Sequence, residues 1–78
     1  MARLRLFGPA REAAGVSSLA LPGADIAAVL ATARARFGDE FSRVLSVSRV
    51  WLNGEVAELA TPVTASDEVA VIPPVSGG

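Results

Sequence analysis

Only one stretch of the chain carries the apolar stripe of an amphipathic helix, and that restriction narrows the fold more than any other feature. Ile26, Val29, Leu30, Ala33 and Phe37 recur at helical spacing, while Ala28, Thr32, Arg34 and Arg36 fall on the other faces. Asp25 precedes the stripe as an N-cap whose carboxylate accepts orphan amides, and Gly38 follows it as a C-cap. A single helix with a single stripe can bury it only against a sheet. The remaining apolar residues must therefore supply strands.

They are spaced to do so. Ala2 to Phe7 alternates, with Leu4 and Leu6 facing one way and Arg3, Arg5 and Phe7 the other. Gly8-Pro9 interrupts the alternation, and Ala10 to Gly15 is expected to form a single helical turn. Val16 to Leu21 is a second strand, stopped by Pro22-Gly23, and the two strands form a hairpin with a long loop. Val50-Trp51-Leu52, Asn53-Gly54 and Glu55-Val56 read as strand, two-residue turn and strand, because Asn-Gly supplies the positive φ angles the turn needs. A loop with a turn at Thr61-Pro62 leads to the last strand, Glu68 to Ile72. Phe41, Val44 and Leu45 are expected to fold back over the open end of the core, without a definite structure for residues 39–48. The inward set is then Leu4, Leu6, Leu19, Leu21, Val50, Leu52, Val69 and Val71, set against the helical stripe.

Composition excludes several kinds of function. At 78 residues there is room for one domain, 1–78, and the apolar half of the sequence suffices for a compact core. There is no cysteine and no histidine, so sulfur-ligated metal sites, thiolate nucleophiles and the usual general base are all missing. The seven arginines are scattered in a chain of net charge −1, which gives no electrostatic footprint for nucleic acid. No apolar run matches a membrane span, and Met1 to Leu6 alternates instead of forming a secretory core, so a cytoplasmic protein is expected.

The C-terminal end is the candidate functional element. After the strand, Pro73 and Pro74 remove two backbone donors and forbid further pairing, leaving Val75-Ser76-Gly77-Gly78 and a free carboxylate. Residues 74–78 are expected to form a flexible tail, and an extended chain of that length spans about 15 Å, at roughly 3.3 Å per residue, enough to thread a narrow pocket. No side chain at Gly77 or Gly78 obstructs such a passage. So short a tail cannot supply the area of a stable interface, about 800 Å² per partner. Docking therefore falls to the outward face of the sheet, where Trp51 and Ile72 have outward parity, Val56 can join them and Phe7 lies at the rim.

These residues resemble a known family. Leu6-Phe7-Gly8 with Arg11-Glu12 and Gly15, Leu52-Asn53-Gly54, Asp67-Glu68-Val69-Ala70 and above all Ile72-Pro73-Pro74-Val75-Ser76-Gly77-Gly78 look like the small subunit of molybdopterin synthase, a MoaD-type member of the MoaD/ThiS ubiquitin-like sulfur carriers, along essentially the whole chain. Gly-Gly alone is shared by all such carriers, and Pro-Pro-Val-Ser-Gly-Gly after an Asp-Glu-Val strand is more specific. Ala65-Ser66-Asp67 departs from the family, which usually has a glycine before the aspartate, so a looser or differently typed turn is expected there.

The resemblance implies an α+β, ubiquitin-like β-grasp fold, a mixed sheet of four to five strands packed on one main helix with the last strand central. It also implies that Gly78 is the acyl carrier. An E1-like adenylyltransferase would activate it with ATP, a sulfurtransferase or cysteine desulfurase would supply sulfur, and the large synthase subunit would receive the thiocarboxylate in a heterotetramer. Gly77, Ser76, Val75, Pro74, Pro73, Ile72, Val56, Trp51, Phe7 and Arg11 would contact these partners. The chain itself would bind no cofactor or metal. Carriers serving thiamine thiazole, cysteine or tRNA thiolation, and a β-grasp interaction module without terminal chemistry, are the other readings.

Overall fold

The computed structural model describes residues 1–74, so Val75, Ser76, Gly77 and Gly78 lie outside the described residues. Eight elements follow in chain order: β1 Ala2–Leu6, α1 Gly8–Ala14, β2 Ser18–Leu21, α2 Ile26–Phe37, α3 Asp39–Ser46, β3 Arg49–Leu52, β4 Glu55–Val56 and β5 Glu68–Ile72. The strands form one mixed sheet in the order β2-β1-β5-β3-β4. β5 is central, parallel to β1 and antiparallel to β3, while β1–β2 and β3–β4 are antiparallel. This is the β-grasp arrangement implied by the C-terminal motif, and all five strands are present.

The alternation read in the sequence sets the two faces. Leu4, Leu6, Val69 and Val71 are buried on the helix side together with Ile26, Val29, Leu30 and Ala33 of α2. Leu19, Val50, Leu52 and Phe37, expected inside, are only half-buried at the periphery of this core. Their place is taken by Phe41 and Leu45 of α3. Phe41 is 0% exposed, and its ring lies 5.1 Å from that of Phe37. The segment without a definite expectation is thus a two-turn helix that closes one end of the core. Asp39 and Glu40 occupy its first turn, where they complement the helix dipole.

Several boundaries differ from those expected. α1 has seven residues rather than one turn, because Pro9 sits in its first turn, where a missing amide costs nothing and the fixed φ suits a helix. β2 begins at Ser18 rather than Val16, although Leu6 N–H still donates to Ser17 O at 2.9 Å. The turn after β4 is closed by Thr61 N–H on Glu58 O at 3.0 Å, ahead of Thr61-Pro62 rather than at it. That loop serves α2. Ile26 and Ala27 N–H donate to Thr61 O and Leu59 O at 3.0 and 2.8 Å, and Asp25 Oδ1 accepts from Ala28 N–H at 2.8 Å, so the helix start is satisfied partly from a distant loop.

Gly23 makes this entry possible. Its φ is +154°, and a Cβ there would lie 2.6 Å from the backbone nitrogen of Val29 and 2.7 Å from Val29 Cγ2. Gly23→Ala is expected to destabilise the domain by about 2 to 3 kcal/mol, since backbone strain and overpacking act together. A urea titration that leaves the midpoint unmoved would contradict that close approach.

The turn into β5 is tighter than its missing glycine suggested. Asp67 Oδ2 accepts from Thr64 N–H at 2.8 Å, and Asp67 N–H donates to Thr64 O at 3.1 Å. Asp67 Oδ1 also accepts from Asn53 Nδ2 at 3.0 Å, while Asn53 Oδ1 accepts from Glu68 N–H at 2.9 Å. Asn53 therefore serves twice, adopting φ +51° in the β3–β4 turn and clasping that turn to the start of β5. The Asn53 side chain, and after it the Thr64 amide, hold the Asp67 carboxyl below the ordinary aspartate range. Because the folded value is depressed, the clasp adds stability above the ordinary range near pH 3.9 and loses it as pH falls through the folded value. Wild type should therefore exceed Asp67→Asn in urea midpoint at pH 7, with the gap shrinking on acidification. A pH-independent gap would contradict this.

Candidate functional site

The sheet face away from the helices is continuous from edge to edge. Register places Ser18, Arg5, Ala70, Trp51 and Val56 on one rung across the five strands. Arg3 lies beside Glu68 on the rung toward the start of β5, and Arg49 lies beside Ile72 toward its end. Ile72 and Val56 are 38% and 63% exposed, larger than a wet sheet face requires of aliphatic side chains. Trp51 has the outward parity read in the sequence. It is half-buried, and its Nε1 is shielded from solvent with no hydrogen-bond partner among the described residues.

The other candidate residues are distributed around this face. Phe7 follows the Leu6–Val71 pair, caps the start of α1 and is 40% exposed, with the Arg5 guanidinium 5.6 Å from its ring centroid. Arg5 also approaches Glu68 at 3.8 Å, an exposed pair that contributes little to stability. Arg11 stands exposed on α1, off the sheet, and forms no ion pair among the described residues. Pro73 is buried and Pro74, the last described residue, is exposed. That placement follows from the central position of β5 and fixes the root from which the last four residues start. Val75, Ser76, Gly77 and Gly78 themselves lie outside the described residues.

Three contributors to the face were not singled out by sequence reasoning: Arg3, Arg5 and Arg49, counted there only among the scattered arginines. Strand parity already put Arg3 and Arg5 opposite Leu4 and Leu6. Their meeting with Arg49 required the β1-β5-β3 order. Among the described residues no cluster of three or more His, Asp or Glu is arranged to hold a metal, and no helix is long and apolar enough to cross a membrane.

Comparison with known proteins adds the following. Residues 4–78 match the ThiS family. No curated protein matches the chain significantly in sequence. Among solved structures, the small archaeal modifier protein 1 of Haloferax volcanii superposes with a TM-score of 0.83 at 30% identity, covering 97% of this chain and 97% of that one. Its counterpart from Methanosarcina acetivorans gives 0.88 at 27% identity, covering 99% and 95%. A chain from the complex of subunits 1 and 2 of the molybdopterin-converting factor of Helicobacter pylori gives 0.75 at 24% identity, covering 99% and 97%, a likeness of fold alone.

Proposed function

Since this chain belongs to the ThiS family of ubiquitin-like sulfur carriers, we propose that it is the small, sulfur-donating subunit of molybdopterin synthase, with Gly78 as the carrier of the reactive acyl group. The observation that carries this reading is the Pro73-Pro74-Val75-Ser76-Gly77-Gly78 end, set directly after the central strand and rooted by a buried Pro73. A carboxylate is a poor acyl donor, and adenylation by an E1-like enzyme converts it to an acyl-adenylate, releasing pyrophosphate. A persulfide on a sulfurtransferase or cysteine desulfurase then displaces AMP to form an acyl disulfide, and a second thiol reduces its S–S bond, leaving the thiocarboxylate. The unhindered CH₂ of Gly78 keeps the approach to its carbonyl open.

The large synthase subunit would receive this terminus beside the cyclic pyranopterin precursor, and two such transfers would complete the dithiolene. ATP belongs to the activating enzyme, and this chain contributes no acid, base or metal to the chemistry. Affinity would come from the outer sheet face, where Trp51, Val56 and Ile72 lie on adjoining strands and Phe7 stands at the rim. A cytoplasmic location fits these partners.

A second reading is favoured by the higher identity to the archaeal modifier proteins than to the Helicobacter subunit: the same terminal chemistry directed to another acceptor. Thiocarboxylated chain mixed with the large subunit and the pyranopterin precursor distinguishes them. Conversion of the precursor supports the molybdopterin reading; a thiocarboxylate that forms normally yet transfers nothing to that acceptor supports the second.

A further inference from the structure

The outer sheet face is unbalanced in both charge and hydrogen-bonding capacity. Among the described residues it carries three arginines, Arg3, Arg5 and Arg49, against a single carboxylate, Glu68, although the chain as a whole has a net charge of −1. Of the other acidic residues, Glu55 lies on the edge strand β4 opposite Leu52, with the parity of the helix side, and Glu12, Asp25, Asp39, Glu40, Glu58 and Asp67 sit on the helices and loops. Arg49 makes no ion pair among the described residues, and Arg3 reaches only the Ser18 hydroxyl, at 3.4 Å. In the middle of this donor-rich surface lies the Trp51 indole N–H, shielded from water and unmatched by any acceptor among the described residues. A buried donor left unpaired is costly and uncommon.

We propose that this face docks an acidic protein surface, whose carboxylates meet Arg3, Arg5 and Arg49 and one of which accepts a hydrogen bond from Trp51 Nε1. This rests on the carrier reading and specifies the chemistry its partner must have. Trp51 stands on the rung between Ala70 and Val56. Ala70 has no side chain beyond Cβ, so rotation of the indole toward that neighbour as the partner arrives meets only a methyl group. The unpaired donor is an unfavourable feature of the free chain that complex formation removes, so Trp51 lends specificity to docking and not only buried area. A single-stranded nucleic acid would also meet arginines beside an aromatic ring. The central strand of this face, however, is aliphatic at Ala70 and Ile72, Val56 extends the apolar area on the edge strand, and β3 offers one ring, which suits an apolar protein surface that also bears carboxylates.

The E1-like adenylyltransferase of the same organism is the test partner, because every sulfur-carrier reading requires it. Binding should be followed at low and high salt with wild type, Trp51→Phe and Arg3→Glu/Arg49→Glu. The association rate should fall about tenfold or more between low and high salt, and the double arginine variant should reproduce that fall at low salt. Trp51→Phe keeps a large ring and removes the donor, so affinity should drop about tenfold while the Tm of the free domain stays level or rises. A loss of affinity without a loss of Tm is what a purely structural tryptophan could not produce.

The inference is overturned if association is insensitive to salt, if Trp51→Phe lowers affinity and Tm in parallel, or if a single-stranded oligonucleotide binds the face more tightly than the enzyme. If the wild-type chain gains sulfur but shows neither effect, only the acidic-surface inference fails. If it neither binds the enzyme nor gains sulfur, the carrier reading fails with it.

Discussion

Removing Gly78, or extending the chain beyond it with a tag, should abolish thiocarboxylate formation and sulfur transfer while leaving the thermal melt of the domain nearly unchanged. The reason is a separation of tasks along the chain. Stability resides in the residues that are buried, and among the described residues the last of these is Pro73. Gly78 lies five residues further on and, in the proposed role, supplies the acyl group. Deleting it moves the terminal carboxylate back by about 3.3 Å, more than the tolerance of about 0.5 Å within which reacting groups must be held. A tag converts the carboxylate to an amide and leaves nothing to adenylate. A melt that collapses on deletion would show that the terminus belongs to the fold, and normal sulfur transfer by either variant would show that the acyl group is carried elsewhere.

The largest loss of stability is expected at Phe41. Phe41→Ala should cost about 3 to 5 kcal/mol, the range for truncating a fully buried aromatic ring. A chain of 78 residues has a total stability on the order of 4 to 12 kcal/mol at about 0.05–0.15 kcal/mol per residue, so the loss is a large part of the whole. Phe41 is 0% exposed and stacks obliquely on Phe37, at the junction of α2 and α3. Its removal opens a void at the end of the core that α3 closes, and the pair partner Phe37 is left half-covered. Phe41→Leu should recover much of the loss, because it refills the volume. Equal urea midpoints for wild type and Phe41→Ala would mean that α3 is a peripheral attachment and not the lid of the core.

What was legible in the sequence was whatever a short-range period or a turn dipeptide specifies. Leu4 and Leu6 alternate with Arg3 and Arg5 because one side of β1 faces α2, and that alternation can be read without knowing which strands are neighbours. The Asp25 cap, the Gly38 stop and the Asn53-Gly54 turn are local devices, and each stands where its chemistry requires. The central position of β5 came from the resemblance of the C-terminal motif rather than from periodicity, since strand order is a property of the whole sheet.

The remainder was illegible for identifiable reasons. Phe41, Val44 and Leu45 span too few residues for a helical period to separate from a folded loop, and their burial is decided by the gap left at the end of α2. Leu19, Val50 and Leu52 have inward parity but sit on strands flanking the central pair, where the core thins out. The clasp between Asn53 and Asp67 joins residues fourteen apart, and neither side chain announces its partner. The outer face shows the same limit. Trp51 and Ile72 could be assigned to it by parity, whereas its arginines and unpaired indole donor emerged only once β1, β5 and β3 were seen side by side.

In the proposed function the terminal carboxyl of Gly78 is the site of chemistry. Intact-mass measurement of the chain after incubation with the E1-like enzyme, ATP and a sulfur donor tests this most directly. The predicted result is a gain equal to the replacement of one oxygen by one sulfur, confined to the C-terminal peptide and absent when ATP is withheld. An unchanged mass, with partners proven competent on another carrier, would contradict it and leave a β-grasp domain that binds without carrying sulfur.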